Sequence, residues 1–152
     1  MRLVAGTVLL LLGAVLAHSG NGRDEDDDGA NRDFNRDLNF AQVTHVKATE
    51  VSAGGWRFDV TVRHKDEGWG HYADAWQVID PRNGKILGER ILAHPHDNEQ
   101  PFTRSQSGIT IPQGLNQVMV RAKCNVHGFG GREILVDLSR EEGTDYTVQR
   151  RR

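Results

Sequence analysis

The sequence has one cysteine, Cys124, in 152 residues. A single thiol closes no internal disulfide. It is therefore either a small buried hydrophobe or a thiolate committed to a metal. The chain also lacks an excess of either charge: 19 Lys and Arg stand against 21 Asp and Glu, a formal net charge of −2. That balance excludes the basic footprint of a nucleic-acid-binding protein. No apolar run reaches the roughly 20 residues of a membrane span, and no stretch carries a convincing helical period.

The longest apolar run is Leu3 to Leu16, preceded by Arg2, interrupted by Gly6 and Gly13 and followed by Ala17. One positive charge, a short apolar core and small or apolar residues at Val15 and Ala17 predict a secretory signal peptide over 1–17, with an uncleaved anchor as the alternative. The expected location is secreted or periplasmic, with no membrane span after cleavage. No cysteine lies near the cleavage point, so a lipobox is absent. Residues 18–40 are poor in apolar side chains and contain the acidic run Asp24-Glu25-Asp26-Asp27-Asp28, which predicts a disordered linker.

From Val43 onward the pattern has period two. Trp56, Phe58, Val60 and Val62 alternate with Arg57, Asp59, Thr61 and Arg63; Ala75–Ile79 is a second strand; and Asp80-Pro81-Arg82-Asn83-Gly84 is a turn before a returning segment to Leu92. Ile109 and Ile111 precede another turn. Val118, Val120, Ala122 and Cys124 line one face, and Ile134, Val136 and Leu138 close the series. About seven short strands with Gly and Pro turns predict an all-β, immunoglobulin-like antiparallel sandwich over 41–140, with 141–152 as a polar, basic tail.

Seven histidines are many for this length, and imidazole is the commonest transition-metal ligand among side chains. Cys124-Asn125-Val126-His127-Gly128 places a thiol and an imidazole three residues apart, where a strand runs into a glycine-rich loop. His64 continues the apolar face of Trp56 to Val62. His71 opens the next strand, so one loop can present both. Trp69, Tyr72 and Trp76 would form an apolar wall, and the register of His45 on the first strand could bring it beside His64.

In this order the residues resemble the iron domain of superoxide reductases, the desulfoferrodoxins and neelaredoxins. That family has a first-strand His, then a His-Pro-x-x-x-x-His-Tyr-x-x-Trp stretch, and a closing Cys-Asn-x-His-Gly element. The corresponding residues are His45; His64, His71, Tyr72 and Trp76; and Cys124, Asn125, His127 and Gly128, within a span of about 43–138. The resemblance implies a mononuclear iron centre with four imidazoles in a plane, an axial thiolate, an open position for superoxide, and an electron donor whose identity is unknown. An axial thiolate pushes electron density to iron, and an open position admits a small anion. Three departures stand out. Val43-Thr44 replace the family's Glu-Lys pair, leaving Lys47 after the His as the candidate cation. Lys65 replaces the Pro, and the His64–His71 spacing is one residue longer.

Outside the resemblance, His94-Pro95-His96 with Asp97 and Glu99 forms a second candidate site, for zinc or copper through His94, His96 and Glu99, or else a set of hydrogen bonds that pins a loop. His18, as a new N-terminus, could chelate copper. A non-catalytic binding module using Trp69, Tyr72, Trp76 and Phe129 is the reading from a different class.

Overall fold

The structure is a computed structural model that describes residues 37–152. The predicted signal segment, His18 and most of the linker lie outside the described residues. The described residues form ten strands: β1 (Gln42–Ser52), β2 (Gly55–Arg63), β3 (Ala73–Ile79), β4 (Ile86–Ile91), β5 (Phe102–Thr110), β6 (Gln117–Cys124), β7 (Gly128–Phe129), β8 (Ile134–Asp137), β9 (Glu142–Gly143) and β10 (Tyr146–Gln149). They make two sheets. The first runs β5-β2-β1-β10-β9; the second runs β4-β3-β6-β7, with β8 paired to the same edge of β6 further along. Among the described residues no helix is long and apolar enough to cross a membrane.

The two sheets face one another over the apolar sets that the alternation marks. Phe58, Val60 and Val62 from β2 meet Trp76 and Val78 from β3, Val118 and Val120 from β6, and Ile134 and Val136 from β8, all fully buried. Each such side chain contributes about 1.5–3 kcal/mol on leaving water. The sandwich and the Asp80–Gly84 hairpin therefore follow from local pattern.

Three features differ from the sequence expectation. The segment 141–152 is not a tail: β10 pairs in parallel with β1, Val46 opposite Tyr146 and Ala48 opposite Val148, and buries Tyr146 and Val148. Two apolar residues among charged ones were too short a signal for a strand. Residues 37–40, assigned to the linker, form a turn fastened by the buried Gln42, whose Nε2 donates to the Asp37 and Phe40 carbonyls and whose Oε1 accepts from the Arg132 amide. This turn lies against the 130–132 loop so closely that a Cβ on Gly131 would run into the Ala41 carbonyl. Finally, a β-bulge in β1 sets Val43 opposite Val62 but His45 opposite Thr61, leaving Thr44 as the extra residue.

Candidate metal centre

One end of the sandwich gathers the turn at 37–40, the β2–β3 loop and the β6–β7 hairpin. The hairpin is tight because Gly128 adopts φ +68° and pairs back with Cys124, leaving Asn125-Val126-His127 as the loop. This fold-back brings the His127 amide to 3.0 Å from the Cys124 sulfur, to which it donates, and the His127 Nδ1 to 3.4 Å from the same atom. Cys124 is 1% exposed. An N–H aimed at sulfur stabilises a thiolate.

The β2–β3 loop delivers two imidazoles. His64 follows β2 on the inward side, as its spacing from Val62 requires, and is 1% exposed. The loop closes on itself by Glu67 N–H to the His71 carbonyl (2.7 Å) and His71 N–H to the Gly68 carbonyl, with Gly68 at φ +71°. Asn125 ties this loop to the hairpin: its Oδ1 accepts from the Tyr72 amide (2.9 Å), its Nδ2 donates to the Trp69 carbonyl (3.1 Å), and its own amide donates to the Tyr72 carbonyl. The Asn of the Cys-Asn-x-His-Gly element is thus a clamp between the two ligand-bearing loops.

The ligand atoms of His64, His71 and Cys124 all lie within 4.8 Å of one another. His127 joins them from the side, with its Nδ1 3.2 Å from the His71 Nε2. Two donors about 2.1 Å from a shared ion at a tetrahedral angle stand about 3.4 Å apart. The His71–His127 and Cys124–His127 separations are close to that value. The donors fit a transition-metal ion of mixed nitrogen and sulfur preference. The Asn39 carbonyl closes this end as an acceptor, 3.1 Å from the His64 Nε2 and 3.4 Å from the Cys124 sulfur, which donates to it; an ion held by those two atoms would take the place of these hydrogen bonds.

Two of the imidazoles have carboxylates behind them. The His64 Nδ1 lies 2.6 Å from the Asp66 Oδ1, with both side chains fully buried, and the His71 Nδ1 lies 3.5 Å from the Glu67 Oε1. Burial pushes the Asp66 carboxyl up. The hydrogen bond with His64 and those from the Ala73 and His96 amides outweigh this and hold it below the usual carboxylate range. A carboxylate on Nδ1 fixes the tautomer in which Nε2 faces the cluster.

Several expected residues are placed elsewhere. Plain alternation would put His45 on the inner face with Val43. The bulge turns it to the outer face, because Val46 and Ala48 are the buried residues that follow. His45 is therefore not beside His64. Lys47 is exposed on that outer face opposite Asp59, away from the cluster, and is corrected as a candidate near an open coordination position. Trp76 is 0% exposed and belongs to the core, not to a wall around the site. Trp69 is 67% exposed, with Tyr72 edge-on at 5.7 Å.

In the His94, His96 and Glu99 set the two rings lie 4.5 Å apart, but the three side chains do not form a group of ligands. Among the described residues, the only group of three potential ligands brought together is His64, His71 and Cys124. Glu99 is held by Arg104 at 3.1 Å. His96 is buried and stacked on Phe102 at 3.8 Å, and neither of its ring nitrogens has a hydrogen-bond partner. Burial first, and then the Arg104 and His94 charges, hold its pKa below the ordinary imidazole value. Asp66, Glu67 and Asn39 were missed by sequence reading. The only available signal was that Asp66 shares the face of His64 two residues earlier.

The chain is 41% identical over 115 residues to a protein named "Putative lipoprotein" from Halomicrobium mukohataei; the match takes in 74% of this chain and spans 55% of that protein's length. No protein-family model matches the chain. No solved structure matches it.

Proposed function

We propose that this domain is an exported metal-binding protein that holds one transition-metal ion through the Cys124 thiolate and the imidazoles of His64, His71 and His127. The observation that carries the reading is the convergence of three ligand atoms within 4.8 Å, with His127 against two of them and an N–H already directed at the sulfur. Export rests on the apolar run at 3–16 and on the name of the Halomicrobium relative.

Iron is the metal that the superoxide-reductase resemblance implies. The residues do not fit that group as the family holds it. Four imidazoles are required, three are gathered, and the first-strand His45 lies on the opposite face of its sheet. We therefore derive no reductive step. Superoxide reduction remains a second reading, favoured by the Cys124-Asn125-Val126-His127-Gly128 element. It is tested by whether Fe(II)-loaded protein consumes superoxide faster than the metal-free protein does.

The primary test is an anaerobic titration of residues 18–152 with Fe(II) and, separately, Co(II). One equivalent should bind with a thiolate-to-metal charge-transfer band, seen for iron after oxidation. No bound metal and no band would remove the proposal. In the same titration His45→Ala should match the wild type in stoichiometry and band position. Loss of metal in that variant would mean that β1 supplies a ligand after all.

A further inference from the structure

The sequence motif left without a role is the loop His94–Gln100, and the hydrogen bonds show where it belongs. The Asp66 carboxylate is fully buried and uses both oxygens. Oδ1 takes the His64 Nδ1 (2.6 Å) and the Ala73 amide (3.0 Å); Oδ2 takes the His96 amide (2.7 Å). Gln100 spans the same gap, its Oε1 accepting from the His64 amide (3.0 Å) and its Nε2 donating to the His96 carbonyl (3.2 Å). Asp97 accepts from the Gly68 amide at 3.0 Å, fastening the β2–β3 loop from the other side. The His96 ring makes none of these hydrogen bonds: it lies flat on Phe102 with both nitrogens buried, and its Nδ1 stands 3.8 Å from the Asp66 Oδ2, within ion-pair range only.

We infer that Asp66 is the positioning residue of the centre, and that the 94–100 loop is its outer clamp, holding the carboxylate against the Nδ1 of His64 so that Nε2 is presented to the metal. The inference rests on the metal-binding reading of His64, His71, Cys124 and His127. It assigns the histidine-rich loop to orienting that centre, in place of a second zinc or copper site. Its physical content is specific. A carboxylate behind an imidazole locks ring orientation and tautomer and makes the distal nitrogen a stronger donor, and removing such a partner typically weakens metal affinity about 10–100-fold. Backbone amides from β3 and from the loop in turn fix the carboxylate, so it cannot swing away when the ion binds.

The test is Co(II) titration of residues 18–152 as wild type, Asp66→Asn, His96→Phe and Cys124→Ser. Asp66→Asn keeps the shape but loses the charge, and it can accept on only one oxygen. It should bind Co(II) about 10–100-fold more weakly while still showing the thiolate band at saturation, with altered ligand-field bands. His96→Phe keeps the amide that bonds Asp66 and the stack on Phe102. It should retain one equivalent at close to wild-type affinity.

Unchanged affinity and spectrum in Asp66→Asn, even with a lowered melting temperature, would show that Asp66 serves the fold alone and would overturn the inference. Loss of an equivalent in His96→Phe would restore the second-site reading and overturn the clamp. If wild type and Cys124→Ser alike bind no Co(II), the metal reading fails, and this one with it. Should Asp66→Asn fail to fold, the Zn(II)-loaded wild type supplies a second measurement. The His64 Nδ1 proton should appear in NMR as a slowly exchanging, strongly deshielded signal, and its absence would refute the hydrogen bond.

Discussion

Cys124→Ser is expected to abolish the thiolate charge-transfer band completely and to lower Fe(II) or Co(II) affinity by at least about 100-fold, with the β-sheet spectrum unchanged. The sulfur is the only soft donor among the gathered ligands, and a neutral hydroxyl replaces neither its charge nor its covalency. Serine suits the position structurally. Its oxygen can accept the His127 amide that now reaches the sulfur at 3.0 Å and donate to the Asn39 carbonyl now 3.4 Å away, so no polar group is left stranded. Loss of stability should stay within about 1–2 kcal/mol, the range for one altered buried hydrogen bond. Circular dichroism checks the fold and absorption spectroscopy the band. A serine variant that still shows the band would place the chromophore elsewhere.

Deleting residues 144–152 is expected to remove most of the stability of the domain. The segment contains β10, which lies between β1 and β9 and continues the first sheet. Its loss uncovers the faces that Tyr146 and Val148 fill, worth together about 3–6 kcal/mol on the scale of about 1.5–3 kcal/mol per buried side chain. It also breaks the Arg132–Asp145 ion pair at 2.5 Å and exposes the backbone of β1, the strand that runs beneath the turn at 37–40. Against a typical total of about 5–15 kcal/mol, this loss should lower the melting temperature by more than about 10 °C. Thr147→Ala, on the exposed side of the same strand, should change it little. A truncated protein that melts with the full one would mean that β10 is dispensable.

These two outcomes divide along what the sequence could and could not reveal. Alternation of apolar and polar residues is a local signal with period two, and burial of one face follows from it directly. Phe58, Val60, Val62, Val118 and Val120 were legible for that reason, as was the hairpin over Asp80–Gly84. The closeness of Cys124 and His127 was legible too, because three residues and a glycine at positive φ close a loop with no help from the rest of the chain.

Pairing between distant segments was not legible. Only the register of β1 against β2 reveals the extra residue Thr44, and that single residue carries His45 from the inner face to the outer one. Only the sandwich brings the Asn39 carbonyl to within 3.4 Å of a sulfur 85 positions later, and the His96 amide onto Asp66 across 30 positions. The sequence by itself determined an all-β chain with its strands and its Cys-x-x-His hairpin, since those depend on neighbours along the backbone. The tertiary structure decided which imidazoles meet that sulfur, because a ligand set is fixed by strand register and loop closure between segments that share no local signal.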